Sequence, residues 1–146
     1  MLDLSWSALS GAALGAVLKA LEENTSVRTV NLCGYAPPHE QRISELQRLL
    51  ALLERKSGVR ELNLSYAGID DAAMTQLVAP FITRTKSLTT LNLAFNALTE
   101  SGVSALIAAL KENRTVQNVV VQLPSMEEAR LAYWTERLYM MRERKA

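Results

Sequence analysis

Few side chains in this sequence could perform chemistry, and their spacing does not assemble a reaction centre. His39 is the single histidine and Cys33 the single cysteine. A zinc site needs several nitrogen, sulfur or carboxylate ligands, and a catalytic thiol needs a base held against it. His39 follows Pro37-Pro38 in an expected loop six residues from Cys33, with no Cys-x-x-Cys and no second histidine to complete either arrangement. Asp70-Asp71 are adjacent carboxylates, a pairing that can serve general acid–base chemistry. Here they open a helical segment, where the helix dipole favours negative charge. Phosphate-binding loops, dinucleotide fingerprints and the H-E-x-x-H zinc motif are all missing from the sequence. The expectation is a non-enzymatic chain with no catalytic residue, metal or cofactor, and Cys33 is read as a small side chain on a strand face.

Composition points the same way. Apolar residues make up 49% of the 146 residues and charged residues 21%, which suits one folded unit rather than a disordered chain. A net charge of +1 supplies no field toward nucleic acid, and an aromatic content of 5% argues against a base-stacking surface. There is no long uncharged apolar run to span a membrane. One cysteine cannot form an internal disulfide, and the N-terminus has no basic segment of a secretory signal. An intracellular setting, cytoplasmic or cytoskeletal, is expected. The N-x-[ST] sequons at Asn24 and Asn113 fall where helices should end, and both asparagines are read as helix C-caps.

Internal repetition organises what remains. Residues 21–30, LEENTSVRTV, align without a gap on residues 110–119, LKENRTVQNV, and each segment runs into a short apolar strand. Val59 to Leu64 and Leu88 to Leu93 both fit L-x-x-L-x-L, and Leu2-Asp3-Leu4 opens the chain as a shortened copy. The last apolar residues of these strands, Leu4, Leu32, Leu64, Leu93 and Val121, are 28, 32, 29 and 28 residues apart. Between them lie apolar stripes at helical spacing: Leu14, Val17, Leu18 and Leu21; Ile43, Leu46, Leu50 and Leu53; Met74, Leu77, Val78 and Phe81; Val103, Leu106, Ile107 and Leu110. Asp70 and Thr99 are expected helix N-caps. Each unit is thus a strand, a turn and a helix, and can bury its apolar face only against its neighbours. The longer second unit places its extra residues at Pro37-Pro38.

A period near 28 with L-x-x-L-x-L strands resembles the ribonuclease-inhibitor-like class of leucine-rich repeats. The resemblance implies an α/β fold: a right-handed solenoid with parallel strands on the concave side and helices on the convex side. It covers residues 1–123; residues 124–146 are expected to form a separate closing or partner-binding helix, with Leu131, Trp134, Leu138 and Met141 along one stripe. The family's Asn after the strand, L-x-L-x-x-N, is matched only by Asn96; Ser7, Tyr35 and Ala67 hold its place elsewhere, which predicts looser turns there. Such proteins bind other macromolecules, and the implied function is a protein–protein interaction module, a scaffold or subunit of a multi-subunit assembly. A short array closed by a C-terminal helix is also similar to tropomodulin-like actin pointed-end caps, which implies the alternative of a cytoskeletal regulator. Regulation of a small GTPase or another enzyme is a further alternative.

Strand alternation assigns the partner-facing columns. One is Asp3, Asn31, Asn63, Asn92 and Val120; a second is Ser5, Cys33, Ser65, Ala94 and Gln122; a third is Thr29, Glu61, Thr90 and Asn118. The aromatics Trp6, Tyr35, Tyr66 and Phe95 recur after the strands and form a candidate edge. Leu2 and Leu4 open the array with no capping helix before them, so a docked partner or neighbouring subunit is expected to cover that end. At the other end Val119-Val120-Val121 is apolar on both faces and should be covered. Tyr133, Tyr139 and Met140 lie off the helical stripe, and Arg142 and Arg144 make the tip basic; these complete the candidate partner-binding residues.

Overall fold

A computed structural model describes residues 1–121 and Arg137. The strands are short: β1 Leu2–Asp3, β2 Thr29–Asn31, β3 Glu61–Asn63, β4 Thr90–Asn92 and β5 Asn118–Val120. They form a parallel sheet in the order β1-β2-β3-β4-β5, so each pairs only with the strands of adjacent repeats. Between them run α1 Gly11–Glu23, α2 Arg42–Arg55, α3 Asp71–Ala73, α4 Ala79–Arg84 and α5 Glu100–Glu112. Returning a parallel strand requires such a crossover, so every helix starts at the strand-end edge of the sheet and finishes at the strand-start edge. The expected α/β repeat architecture is what the chain adopts.

The period-2 pattern sets which side of the sheet is dry. Val30, Leu62 and Leu91 point inward, as do Leu4, Leu32, Leu64 and Leu93, and all are buried. They join Leu14, Leu21, Leu46, Leu53, Val103 and Leu110 from the helices in one core. Full burial of each such side chain is worth about 1.5–3 kcal/mol, which is why three-residue strands suffice. The stripe of α2 differs from the sequence reading. Ile43 is exposed because it lies in the first turn, and Leu49 is buried in the face instead.

The third helix is interrupted. A π turn over Met74–Val78 separates α3 from α4, and the Ala79 N–H bonds the Met74 carbonyl. Pro80 follows directly. It has no N–H, and its ring would crowd the carbonyl four residues earlier in a regular helix; a widened turn accommodates it. Leu77 is consequently only partly buried and lines a groove with Leu50, Glu54, Phe81 and Arg84 between α2 and α4.

Side chains link successive repeats at the turns. Asn96 accepts from the Ala67 and Ile69 N–H groups and donates to the Leu64 and Leu93 carbonyls. The turn held by Tyr35 is not loose: its hydroxyl donates to the Leu9 carbonyl of the preceding repeat at 2.7 Å. Burial, with the Glu45 carboxylate nearby, pushes the Tyr35 phenol up to about 12. Two carboxylates clip helix starts across repeats. Glu45 accepts from the Gly11 N–H, and Asp71 accepts from the N–H groups of Thr99 and Gly102 and from the Thr99 hydroxyl. Thr99 holds the N-cap position expected of it, but its hydroxyl serves Asp71 instead of capping its own helix. Asp70 does cap its own helix, accepting from Ala73 N–H.

Both sequon asparagines sit at helix C-caps as expected, though in extended rather than left-handed backbone. Asn113 is only 4% exposed. Its amide nitrogen donates to the Ile82 and Thr85 carbonyls, and its oxygen accepts from Thr115 and Val116. The closing helix of residues 124–146, with Tyr133, Tyr139, Met140, Arg142 and Arg144, lies outside the described residues, as does Gln122.

Candidate functional site

Two columns define the open side of the sheet. In the first, each Asx side chain turns back on its own strand. Oδ1 of Asp3 accepts from Ser5 N–H, that of Asn31 from Cys33, that of Asn63 from Ser65 and that of Asn92 from Ala94, all at 2.8–3.0 Å. These are Asx turns. They end each strand by occupying the next outward N–H, and they leave Nδ2 as the remaining donor of Asn63 and Asn92. Hydrogen bonds from the Ser5 hydroxyl and then its N–H hold the Asp3 carboxyl below the usual range. The second column is less open than alternation predicts, because Ser65 and Ala94 are buried.

The second feature lies one residue further on. Trp6, Gly34, Tyr66 and Phe95 each stand two residues after the buried strand leucine, and all have left-handed backbone, with φ of 54°, 68°, 54° and 59°. Their N–H groups continue the inter-repeat ladder: Trp6 donates to Cys33, Gly34 to Ser65 and Tyr66 to Ala94. Left-handed backbone costs an L-residue about 1–2 kcal/mol, and three large aromatic residues adopt it here.

The rings form a continuous row. Tyr66 and Phe95 stack with centroids 4.5 Å apart and planes 12° from parallel, while Trp6 and Tyr66 are 5.7 Å apart and tilted by 42°. The strands carrying Trp6 and Tyr66 are separated by β2, so their backbones are about 9.6 Å apart; the Trp6 ring leans over the gap. Gly34 makes that possible. A Cβ built on it would lie 2.2–2.6 Å from three atoms of the Trp6 six-membered ring. The row remains open to solvent, with Trp6 70%, Tyr66 48% and Phe95 53% exposed.

Tyr35, expected on this edge, is not part of it. It follows Gly34, points inward and is 2% exposed. Of the other candidates, Leu4 is buried, Leu2 is partly buried against the core, Asp3 is exposed, and Asn31, Asn63 and Asn92 are half-buried. At the far end Val119 and Val121 pack on the core and Val120 points outward, exposed. The residue that sequence reasoning missed is Gly34, whose register with Trp6, Tyr66 and Phe95 was the available signal.

Charge on the open sheet side is one-signed. Among the outward strand positions described, Asp3 and Glu61 are ionisable and none is Lys or Arg. Of the cations at the strand-end edge, Arg48 pairs with Glu45 and bonds the Gly11 carbonyl, and Arg42 donates to the Gly68 carbonyl. No group of His, Cys, Asp and Glu among the described residues could hold a metal ion, and no described helix is long and apolar enough to cross a membrane.

Comparison with known proteins agrees with this architecture. A leucine-rich-repeat family model matches residues 86–107. The Tonsoku-like protein of Bos taurus is 34% identical over 103 residues, which is 70% of this chain and 7% of that protein. The chain therefore spans a small fraction of that relative's length. Two solved structures are similar at low identity. Leiomodin-1 actin-binding site 2 superposes with a TM-score of 0.64 at 17% identity, covering 93% of this chain and 91% of that one. The tropomodulin C-terminal domain of Caenorhabditis elegans gives 0.55 at 16% identity, covering 90% and 92%. The chain is a leucine-rich-repeat protein whose array resembles those of tropomodulin and leiomodin.

Proposed function

We propose that this chain is a non-catalytic protein-binding module that engages its partner through the strand-end edge formed by Trp6, Tyr66 and Phe95. The observation that carries this reading is the left-handed backbone beneath three exposed aromatic rings. Gly34 occupies the same register at lower conformational cost, so the fold does not require rings there. Strain retained at exposed aromatic positions supports a binding role, and Trp and Tyr are the side chains that most often anchor interfaces. The repeat length also supports assignment to the ribonuclease-inhibitor-like class, with a scaffold or complex subunit as the cellular role and an intracellular location. We extend the module over residues 1–123 and assign residues 124–146 to a closing helix.

The test is selection of displayed random peptides on the immobilised chain and on a Trp6→Gly/Tyr66→Gly/Phe95→Gly variant. Glycine suits the backbone at each position, so the variant removes rings without adding strain. Peptides enriched on the wild-type chain and lost on the variant support the reading. Equal enrichment on both would place binding elsewhere.

A second reading, actin-filament regulation, is favoured by the likeness in fold to leiomodin-1 actin-binding site 2 and the tropomodulin domain. Co-sedimentation with filamentous actin and slowed pointed-end elongation would support it. Absence of both at saturating protein would remove it.

A further inference from the structure

We propose, resting on the interaction surface above, that the segment it binds is an extended, cationic stretch of protein whose Arg or Lys groups seat on the aromatic row beside Asp3. The rings supply the first part of the argument. An aromatic face attracts a guanidinium or ammonium group through its quadrupole, and the ring row offers three neighbouring aromatics with Trp6 the most open. The centroid spacings along the row are 5.7 Å and 4.5 Å. An extended chain advances about 3.3 Å per residue, so side chains at alternate positions are about 6.6 Å apart, and two cationic groups fit along the row.

Charge complementarity supplies the second part. Asp3 and Glu61 are the charged outward strand side chains among the described repeats; Asp3 stands on the repeat of Trp6, whereas Glu61 opens its strand five residues before Tyr66. Hydrogen bonds from Ser5 favour the ionised form of the Asp3 carboxyl. Of the cations on the same edge, Arg48 is ion-paired with Glu45, and Arg42 is directed onto the Gly68 carbonyl. At the opposite, strand-start edge, Arg28 donates to the Thr25 carbonyl and Arg60 to the Ser87 carbonyl. A basic segment lying on the ring row therefore meets π faces and the Asp3 carboxylate, whereas an acidic segment meets like charge at Asp3. The remaining Nδ2 donors of Asn63 and Asn92 suit the carbonyl groups of an extended backbone.

The experiment is fluorescence anisotropy with labelled Gly/Ser peptides in which alternate positions carry Arg, Gln or Glu. The full chain is compared with Trp6→Gly/Tyr66→Gly and with Asp3→Asn, each first shown to keep its circular dichroism and cooperative unfolding. The expected result is that the Arg peptide binds about tenfold more tightly than the Gln peptide and that the Glu peptide binds worst. Binding of the Arg peptide should fall several-fold in Asp3→Asn and be lost when the rings are removed. Ring-dependent binding that prefers the Gln or Glu peptide would overturn the cationic assignment and leave the interaction surface standing. Arg binding that survives ring removal, or no ring-dependent binding of any peptide, would overturn the proposal; the peptide selection described above then decides whether the surface itself survives.

Discussion

Tyr66 and Phe95 come from successive repeats, share a left-handed backbone and stack with ring centroids 4.5 Å apart. Each residue thus combines an unfavourable backbone conformation with a favourable ring contact, and the two can be separated by substitution. Tyr66→Ala keeps the backbone cost of about 1–2 kcal/mol and loses the ring contacts, worth about 0.5–1.5 kcal/mol. Tyr66→Gly loses the same contacts and relieves the backbone. In urea unfolding the Ala variant is expected to be the less stable of the two by about 1 kcal/mol. The reverse order would mean that the left-handed conformation at Tyr66 is wrong.

Gly34→Ala combines left-handed strain with a direct collision, since the new Cβ would lie 2.2 Å from a ring carbon of Trp6. The indole must move off Gly34 and away from Tyr66. The expected outcome is destabilisation of about 2 kcal/mol and loss of the near-ultraviolet circular dichroism of the Trp6–Tyr66 pair, measured with Trp134→Phe to isolate Trp6. An unchanged aromatic spectrum would contradict the arrangement.

How much of this could be read in advance varies with the residue. Leu32, Leu64 and Leu93 announce their strands because burial imposes a period that neutral drift would not keep, and the helices follow from Leu46, Leu106 and their neighbours. The aromatic row was only partly legible. Trp6, Tyr66 and Phe95 were visible as aromatics after strands, but Tyr35 looked equivalent and is one residue out of register. Aromatic side chains are not habitual left-handed residues, so residue type did not mark Gly34 as the true counterpart; only its place two residues after Leu32 did. Asp71 looked like one half of a helix-opening pair. Its partners, Thr99 and Gly102, belong to the next repeat, and such long-range pairing leaves no spacing signature.

Asp71 predicts an acid-sensitive step. Hydrogen bonds from the Thr99 hydroxyl, and then from the Thr99 and Gly102 N–H groups, lower its pKa from the ordinary 3.8. A carboxyl depressed in the folded state contributes stability that is present above its unfolded value and lost as pH falls through its folded value. Stability should therefore decline below about pH 4 in the wild-type chain. Asp71→Asn should be less stable at neutral pH and show a shallower decline in acid, measured by urea unfolding across pH. Parallel acid profiles for the two proteins would remove Asp71 from that role.

The two sequon asparagines should respond differently to truncation. Asn113 is buried and satisfies four backbone groups, so Asn113→Ala strands them away from water and should cost at least about 2 kcal/mol. Asn24 accepts from Ser26 and Val27 at a more open helix end, where water can replace it; Asn24→Ala should cost about 0.5–1 kcal/mol. Equal losses in thermal unfolding would indicate that burial does not separate the two sites.

Because each rung of the aromatic row stands at the same position of its own repeat, the row behaves as a property of neighbour relations. Gly34 is the rung without a ring, and Trp6 reaches Tyr66 only by leaning across it. Excision of that whole unit would bring Trp6 and Tyr66 onto adjacent strands, about 4.8 Å apart, close to the 4.5 Å at which Tyr66 and Phe95 already stack. Insertion of a further unit with no aromatic residue in that register would instead split the row in two. Gain or loss of repeats would thus lengthen, close or divide the aromatic row without altering a single side chain within it.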